Sequence, residues 1–367
     1  MQDLLYQIGL TLVPNIGCVH AKILAEKYGS AERIFKAPQK ELIAMEGIGA
    51  VRANSIKSFT DFSIAEEELR FIDKNKITPL FITDKKYPQR LLNCYDSPTL
   101  LYYKGEADLN SSRIVAIIGT RHHTEYGRHQ TEKLISELSP YNIIVSSGLA
   151  FGIDAIAHKA SLKNNVLTIG VLAHGLDQVY PSQHTTMATE MIERSGGLLS
   201  EFRSKIIPDR HNFPTRNRIV AGMSDATIVI ETGVRGGSMI TAELANGYNR
   251  DVFAIPGKIT DSKSAGCNYL IRNNKAILLT DTQELIALMN WDDQPHKSQR
   301  KKQTSLFIEL DEQEKIIVNI LREKQSTHID ELNFRSGLSS STVASAVLTL
   351  ELRNVIVSLP GKLYQLT

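Results

Sequence analysis

A chain of 367 residues with 42% hydrophobic and 22% charged side chains reads as a folded protein of two or three domains with at least one sizeable core. Its formal charge of +2 gives no sign of a polyanion partner across the whole surface, so any basic site is local. Cys18, Cys94 and Cys267 are the only 3 cysteines and form no CxxC pair, which argues against a disulfide framework and a zinc site. No basic leader opens the chain, and no stretch reaches the roughly 18 apolar residues of a spanning helix. The expectation is therefore a soluble cytoplasmic protein with no membrane partner.

Residues 1–70 read as a helical domain carrying one small idea twice. LVPNIGCVHAKILAEKYGS turns at residues 14–17 and LIAMEGIGAVRANSIKSF at residues 47–49, each turn preceding a helix. Paired helix-hairpin-helix units look like this, their glycines letting backbone N–H groups approach a phosphate; the glycines serve equally as helix punctuation. Asn15 stands where a glycine is usual. DFSIAEEELRFIDKNK then reads as a charged helical connector, and ITPLFI and TLLYYKG as short strands.

From Arg113 onward the pattern changes. RIVAIIG, YNIIVSSG, NVLTIGVLAHG, ATIVIETG and DVFAIPG are apolar, β-branched and glycine-terminated, with helical stretches between them. Continuous apolar strands alternating with helices predict an α/β, Rossmann-like, doubly wound and mostly parallel sheet over residues 77–290. In such sheets ligands bind outside the carboxyl ends of the strands. DDQPHKSQRKKQTS marks a polar linker over 291–307. Residues 308–367 then offer three helices and a hairpin, a winged-helix-like unit. Its third helix lacks Lys or Arg over 339–352, which points to a protein-contact or regulatory role.

The candidate site residues collect at the strand ends. Gly119, Thr120 and Arg121 follow the first strand of the sheet, where an arginine forks onto a phosphate. Ser146, Ser147, Gly148 and Gly152 form a strand-to-helix turn whose amides suit an anion, with Phe151 at its centre. FPTRNRIV places Phe213 beside Arg216, Asn217 and Arg218. An aromatic ring next to cations grips a single strand by stacking a base and holding phosphates; alternatively the arginines pair with Glu201 or Glu231. Gly236, Gly237 and Ser238 open another turn.

Asp154 and His158, four apart on a helix face, read as an N-cap and a packed histidine rather than an acid and a base. Glu201 and Glu231 sit at strand ends without a Ser/His/Asp order or metal-ligand spacing. Neither a GxGxxG order nor a GxxxxGKS/T loop is present, so no nucleotide cofactor is expected.

AIIGTR, SSGLAFGIDAIAH, GLDQVYP, LLSE, FPTRNRIVAG, GGSMITA and VFAIPG, in that order, resemble the DNA-processing protein A (DprA/Smf) family. The resemblance implies a helical amino-terminal domain of the helix-hairpin-helix (SAM-like) type, a Rossmann-like centre and a winged-helix-like tail. It further implies a binding protein without catalytic residues, cofactor or metal. Such a protein binds single-stranded DNA, forms a homodimer through the Rossmann-like domain and loads the RecA recombinase during natural transformation. Carried over by motif, Arg121, the turn over 146–152, Lys163, Phe213, Arg216 and Arg218 form the strand-binding pocket. Phe151 stands where many relatives have arginine, Thr120 replaces a common serine, and His174 occupies a position often held by a small residue. A rival reading is a phosphoribohydrolase-like nucleotide hydrolase using Glu231 and the glycine pair; another is a docking adaptor acting through the tail.

Overall fold

Apolar residues at helical spacing make the start of the chain all-helical: α1 (Gln2–Leu12), α2 (Cys18–Tyr28), α3 (Ala31–Lys36), α4 (Gln39–Ile43), α5 (Gly49–Ser58) and α6 (Ser63–Asn75). The structure, a computed structural model, describes residues 2–292, 310–324 and 326–366. Both expected hairpins form. Gly47 and Gly49 adopt φ of 81° and 63°, and Asn15 supplies the equivalent left-handed residue of the first hairpin at φ 65°. Asn15 Nδ2 donates to Ser55 Oγ at 3.2 Å, joining the two units. The helices close over Tyr6, Phe35, Phe59 and Phe62, whose ring centroids lie 5.0–6.0 Å apart.

The apolar runs become strands β1 (Thr78–Phe81), β2 (Leu100–Gly105), β3 (Ile114–Ile118), β4 (Ile144–Gly148) and β5 (Leu167–Leu172). They continue as β6 (Gly197–Ser200), β7 (Ala226–Val229), β8 (Asp251–Ala254) and β9 (Ile277–Leu278). The helices of this region are α7 (Gln89–Leu92), α8 (Glu125–Leu138), α9 (Ile153–Lys163), α10 (Thr185–Glu193), α11 (Asn212–Met223), α12 (Gly237–Gly247) and α13 (Ala265–Arg272).

In space the strands run β1-β2-β6-β5-β4-β3-β7-β8-β9. The stretch from β6 to β9 is parallel throughout, and β2 and β1 extend it antiparallel. All of β3 and β4 is buried, as a sheet covered on both faces requires. The chain winds from β3 outward to β6, then returns through α11 to place β7 on the other side of β3. That reversal makes the β3–β7 boundary a topological switch point, where loops at the carboxyl ends diverge and leave a crevice.

Polar groups fasten the helical domain to the sheet. Glu68 is buried, and its carboxylate accepts from Ser204 N at 3.0 Å and from Ser204 Oγ at 2.5 Å. Lys22 Nζ donates to the carbonyls of Leu92 and Cys94 at 2.5 and 3.2 Å. Helices and sheet thus belong to one compact unit, Met1–Leu278.

The second unit, Leu279–Thr367, holds α14 (Thr282–Leu288), α15 (Glu312–Glu323), β10 (Thr327–His328), α16 (Ile329–Ser336), α17 (Ser340–Leu352), β11 (Ile356–Leu359) and β12 (Leu363–Leu366). Asp311 and Glu314 form a capping box at the start of α15. Ile317, Leu321, Leu332, Val343 and Leu350 pack between the last three helices, and the three strands form an antiparallel sheet in the order β10-β12-β11. This is the expected winged helix. From residue 293 onward the expected linker lies outside the described residues. Among those described, no helix is long and apolar enough to cross a membrane.

Candidate nucleic-acid interface

Three strand-to-helix turns meet at the switch point. After β3, the Thr120 amide donates to the carbonyl of Glu231 at 2.7 Å, linking the first turn to the end of β7. After β4, Gly152 sits at φ 83°, and a Cβ there would lie 2.2 Å from the Thr120 carbonyl oxygen. Only glycine satisfies both that conformation and that approach. After β7, Gly236 caps α12, Gly237 is exposed, and Ser238 Oγ donates to Thr232 Oγ1 at 2.7 Å. An open cleft of ≈ 410 Å³ runs over these turns, from Thr120 and Arg121 past Gly148 and Asn217 to Gly237 and Ser238.

Arg121 is exposed, and its guanidinium lies 5.2 Å from the centroid of the Phe213 ring. Tyr180 lies 6.4 Å beyond Phe213, centroid to centroid. Phe151 is 47% exposed and meets His184 edge-on at 4.9 Å, so it is a surface ring rather than a core one. A cavity of ≈ 40 Å³ opens between Phe151, Tyr180, Phe213 and His174, next to the main cleft.

The cleft floor sets two buried, oppositely charged side chains against one glycine. Arg216 is buried, with Nη1 donating to the Val171 carbonyl and Nε to Asn217 Oδ1 at 3.2 Å. Asp154 is buried opposite. A Cβ on Gly148 would lie 2.5 Å from Asp154 Oδ2 and 2.6 Å from both terminal nitrogens of Arg216. Burial pushes the Asp154 carboxyl up to about 6, while Arg216 and the Ala150 amide hold it back. Asp154 is the second residue of α9 and not its N-cap, which is Gly152. His158 is the packed histidine expected: its nitrogens lie 2.7 Å from Thr168 Oγ1 and 2.6 Å from the Gly148 carbonyl. Burial pushes its ring down to about 4, leaving it neutral at neutral pH.

Several residues that the sequence assigned to the pocket lie elsewhere. Ser146 and Ser147 belong to β4 rather than to the turn; both are wholly buried, and Ser147 Oγ donates to the Ile117 carbonyl at 2.6 Å. Lys163 ends α9, about 15 Å of helix from the turn, and does not line the cleft. Arg218 faces away: Nη2 donates to Glu201 Oε2 at 2.6 Å and Nη1 to the Asp96 carbonyl at 2.5 Å, with Cys18 Sγ at 3.4 Å. Burial raises the Glu201 carboxyl, and Arg218 holds it back. Glu231 is also buried; it accepts from the Thr124 amide at 2.9 Å and from the Thr124 hydroxyl, which anchors the start of α8. Conversely, Tyr180 and His174 were not assigned to the site, although an aromatic residue soon after a strand end in GLDQVYP was the available signal. No three His, Cys, Asp or Glu side chains among the described residues group closely enough to hold a metal.

Two outcomes follow for stability. Arg218→Ala leaves Glu201 buried without its cation and should cost about 3–5 kcal/mol in denaturant unfolding. The second concerns pH. The folded value of Asp154 lies above its ordinary 3.8, so the folded state holds the extra proton and stability falls as pH rises from about 4 to 6. For His158 the folded value lies below 6.5, so the unfolded chain holds the proton and stability rises over about the same window. These slopes oppose one another in the wild type. In Asp154→Asn only the histidine slope remains, so unfolding free energy should climb more steeply between pH 4.5 and 6.5, by up to roughly 1.4 kcal/mol per pH unit. Parallel pH profiles for the two proteins would remove Asp154 from this account.

Residues 78–290 match the family described as DNA recombination-mediator protein A, residues 302–362 its winged helix domain, and residues 4–66 a helix-hairpin-helix motif. Protein Smf of Escherichia coli is 32% identical over 87% of this chain and 85% of its own length. The X-ray structure of DNA processing protein A from Streptococcus pneumoniae superposes with a TM-score of 0.67, at 33% identity, over 77% of this chain and 97% of that one. The protein of the same name from Helicobacter pylori, whose structure is described as giving insight into its single-stranded DNA binding mode, superposes with a TM-score of 0.53 at 30% identity, over 59% of this chain and 97% of that one. Matched from its hairpin helices to its winged helix, the chain belongs to the DprA/Smf family of DNA recombination mediators, which are binding proteins and not enzymes.

Proposed function

We propose that the cleft holds a single DNA strand and that the protein protects this strand and passes it to a RecA-type recombinase, as uptake of DNA in natural transformation requires. The observation that carries the reading is Arg121, an exposed guanidinium set over the Phe213 ring at the mouth of an open cleft. In the proposed complex Arg121 and the start of α12 at the exposed Gly237 hold phosphates, while Phe213 and Phe151 offer ring faces to bases. Among the acidic side chains nearby, Asp154 is balanced by Arg216 and Glu231 is buried against Thr124. That commitment of Glu231 counts against the hydrolase alternative, whose carboxylate must touch substrate. The single-stranded DNA binding mode described for the Helicobacter pylori relative supports the same reading. On α17, Ser341, Ala344, Ser345, Leu348 and Leu352 are exposed and none is cationic. This favours a protein contact over groove reading for the winged helix.

A second copy of the chain is proposed to dock on the sheet edge at β9. Among the described residues that strand is hydrogen-bonded on one side only, by β8, and its Ile277 and Leu278 are 41% and 46% exposed.

Two measurements test these proposals. Binding of oligothymidylate should exceed binding of duplex, and Arg121→Ala should weaken it while flattening the slope of log affinity against log salt by roughly 0.7. Equal affinity for duplex, or an unchanged slope, would sink the strand-binding reading. In sedimentation equilibrium the wild type should have twice the mass of the chain, and the double variant Ile277→Glu, Leu278→Glu should have the mass of one. A wild type that remains a single chain overturns the dimer.

A further inference from the structure

We infer that the small cavity beside the main cleft is a seat for a nucleobase, and that His174 Nε2 is the hydrogen-bond acceptor that receives it. The inference rests on the single-strand reading above and assigns a job within it.

His174 follows β5 and is 1% exposed, lining the cavity together with Phe151, Tyr180 and Phe213. Its Nδ1 lies 2.9 Å from the Gly175 carbonyl. A carbonyl can only accept, so Nδ1 carries the ring's proton. Burial moves the ring's pKa below its ordinary value, which keeps it neutral at neutral pH and leaves Nε2 as a lone-pair acceptor. Nε2 has no hydrogen-bond partner. The Tyr180 carbonyl lies near the ring without the geometry of a hydrogen bond to Nε2 and, itself only an acceptor, cannot donate to it.

A buried acceptor without a donor is destabilising until something donates to it. The ≈ 40 Å³ of free space is room for a water, or for the polar edge of a larger group that displaces one. A phosphate is the wrong group, because it brings lone pairs to a lone pair. Every nucleobase, by contrast, carries an N–H on its pairing edge, and the aromatic walls suit its faces. Arg216, on the same wall with Nη1 on the Val171 carbonyl and Nε on Asn217 Oδ1, sets positive charge beside the cavity that favours a base carbonyl. The strand's phosphates then follow the larger cleft past Arg121 while one base turns aside into the cavity.

The test compares oligothymidylate with the same oligomer built from N3-methylthymidine, which lacks the imino proton but keeps both carbonyls and the whole backbone. Binding of the full-length protein is followed by fluorescence anisotropy, with thermal unfolding confirming that each variant is folded. The wild type should bind the methylated strand about tenfold more weakly. His174→Ala should bind the two strands alike, and His174→Gln, whose amide oxygen reaches the place of Nε2, should discriminate again. Equal binding of both strands by the wild type overturns the inference, since it leaves only water at Nε2. Discrimination that survives in His174→Ala also overturns it, because the methyl group is then excluded by shape alone. Failure of the wild type to bind oligothymidylate at all would instead overturn the strand-binding reading itself.

Discussion

The closure of Asp154 and Arg216 around Gly148 is the constraint on which the site depends. Both side chains are buried where a charge is tolerable only beside its opposite. Neither reaches its position unless the residue between them lacks a side chain, which fixes glycine at the end of β4. Arg216 in turn holds the Val171 carbonyl at the end of β5, and the Ala150 amide of the turn favours the charged form of Asp154. Arg216 therefore ties α11 to the end of β5, and it and Asp154 of α9 set opposite charges against Gly148 at the end of β4. The loops above can stay open to a ligand because their floor is held by charge and not by a plug of apolar side chains.

The same economy joins the helical domain to the sheet. Hydrogen bonds cross between them from Ser204 to Glu68, from Lys22 to the Leu92 and Cys94 carbonyls, and from Arg218 to Cys18 Sγ. A guanidinium that meets Glu201, the Asp96 carbonyl and Cys18 Sγ at once fixes an orientation that an apolar contact of the same area would leave free to slide. α11 thus carries two arginines with separate duties, one under the cleft and one at the domain junction.

That division explains where sequence reading succeeded and where it stopped. The parallel sheet, the hairpin helices and the winged helix were legible because each writes a period or a turn residue into the chain, down to Asn15 taking the left-handed place of a glycine. The turns at Thr120, Gly152 and Gly236 were legible for the same reason. FPTRNRIV was read as a strand-gripping cluster, with arginines paired to Glu201 or Glu231, or one structural and one facing the strand, as the alternatives; residues two apart on a helix point about 200° away from each other. Arg216 and Arg218 therefore cannot share a face once α11 is known to begin at Asn212. Lys163, which the resemblance implied, stands a full helix away from the turn. Ser146 and Ser147 were given to the turn because a strand's last residues and a loop's first ones look alike when both are small and polar. β9, only two residues long, has too little pattern to announce itself.

Near-neutral net charge and a nucleic-acid ligand are compatible once the cations are sorted by commitment. Arg216, Arg218 and Arg90 are spent on buried partners within the fold, the last through Asp225 Oδ1 at 2.5 Å. Their charge is cancelled locally and does little at a distance. Arg121 is set differently: exposed, at the rim of the cleft, with an aromatic ring as its near neighbour in place of a carboxylate. A field focused by one such cation, with helix amides at the start of α12 and low-dielectric walls, selects an anion at that spot without making the surface basic. Affinity built this way is modest per contact and falls with salt.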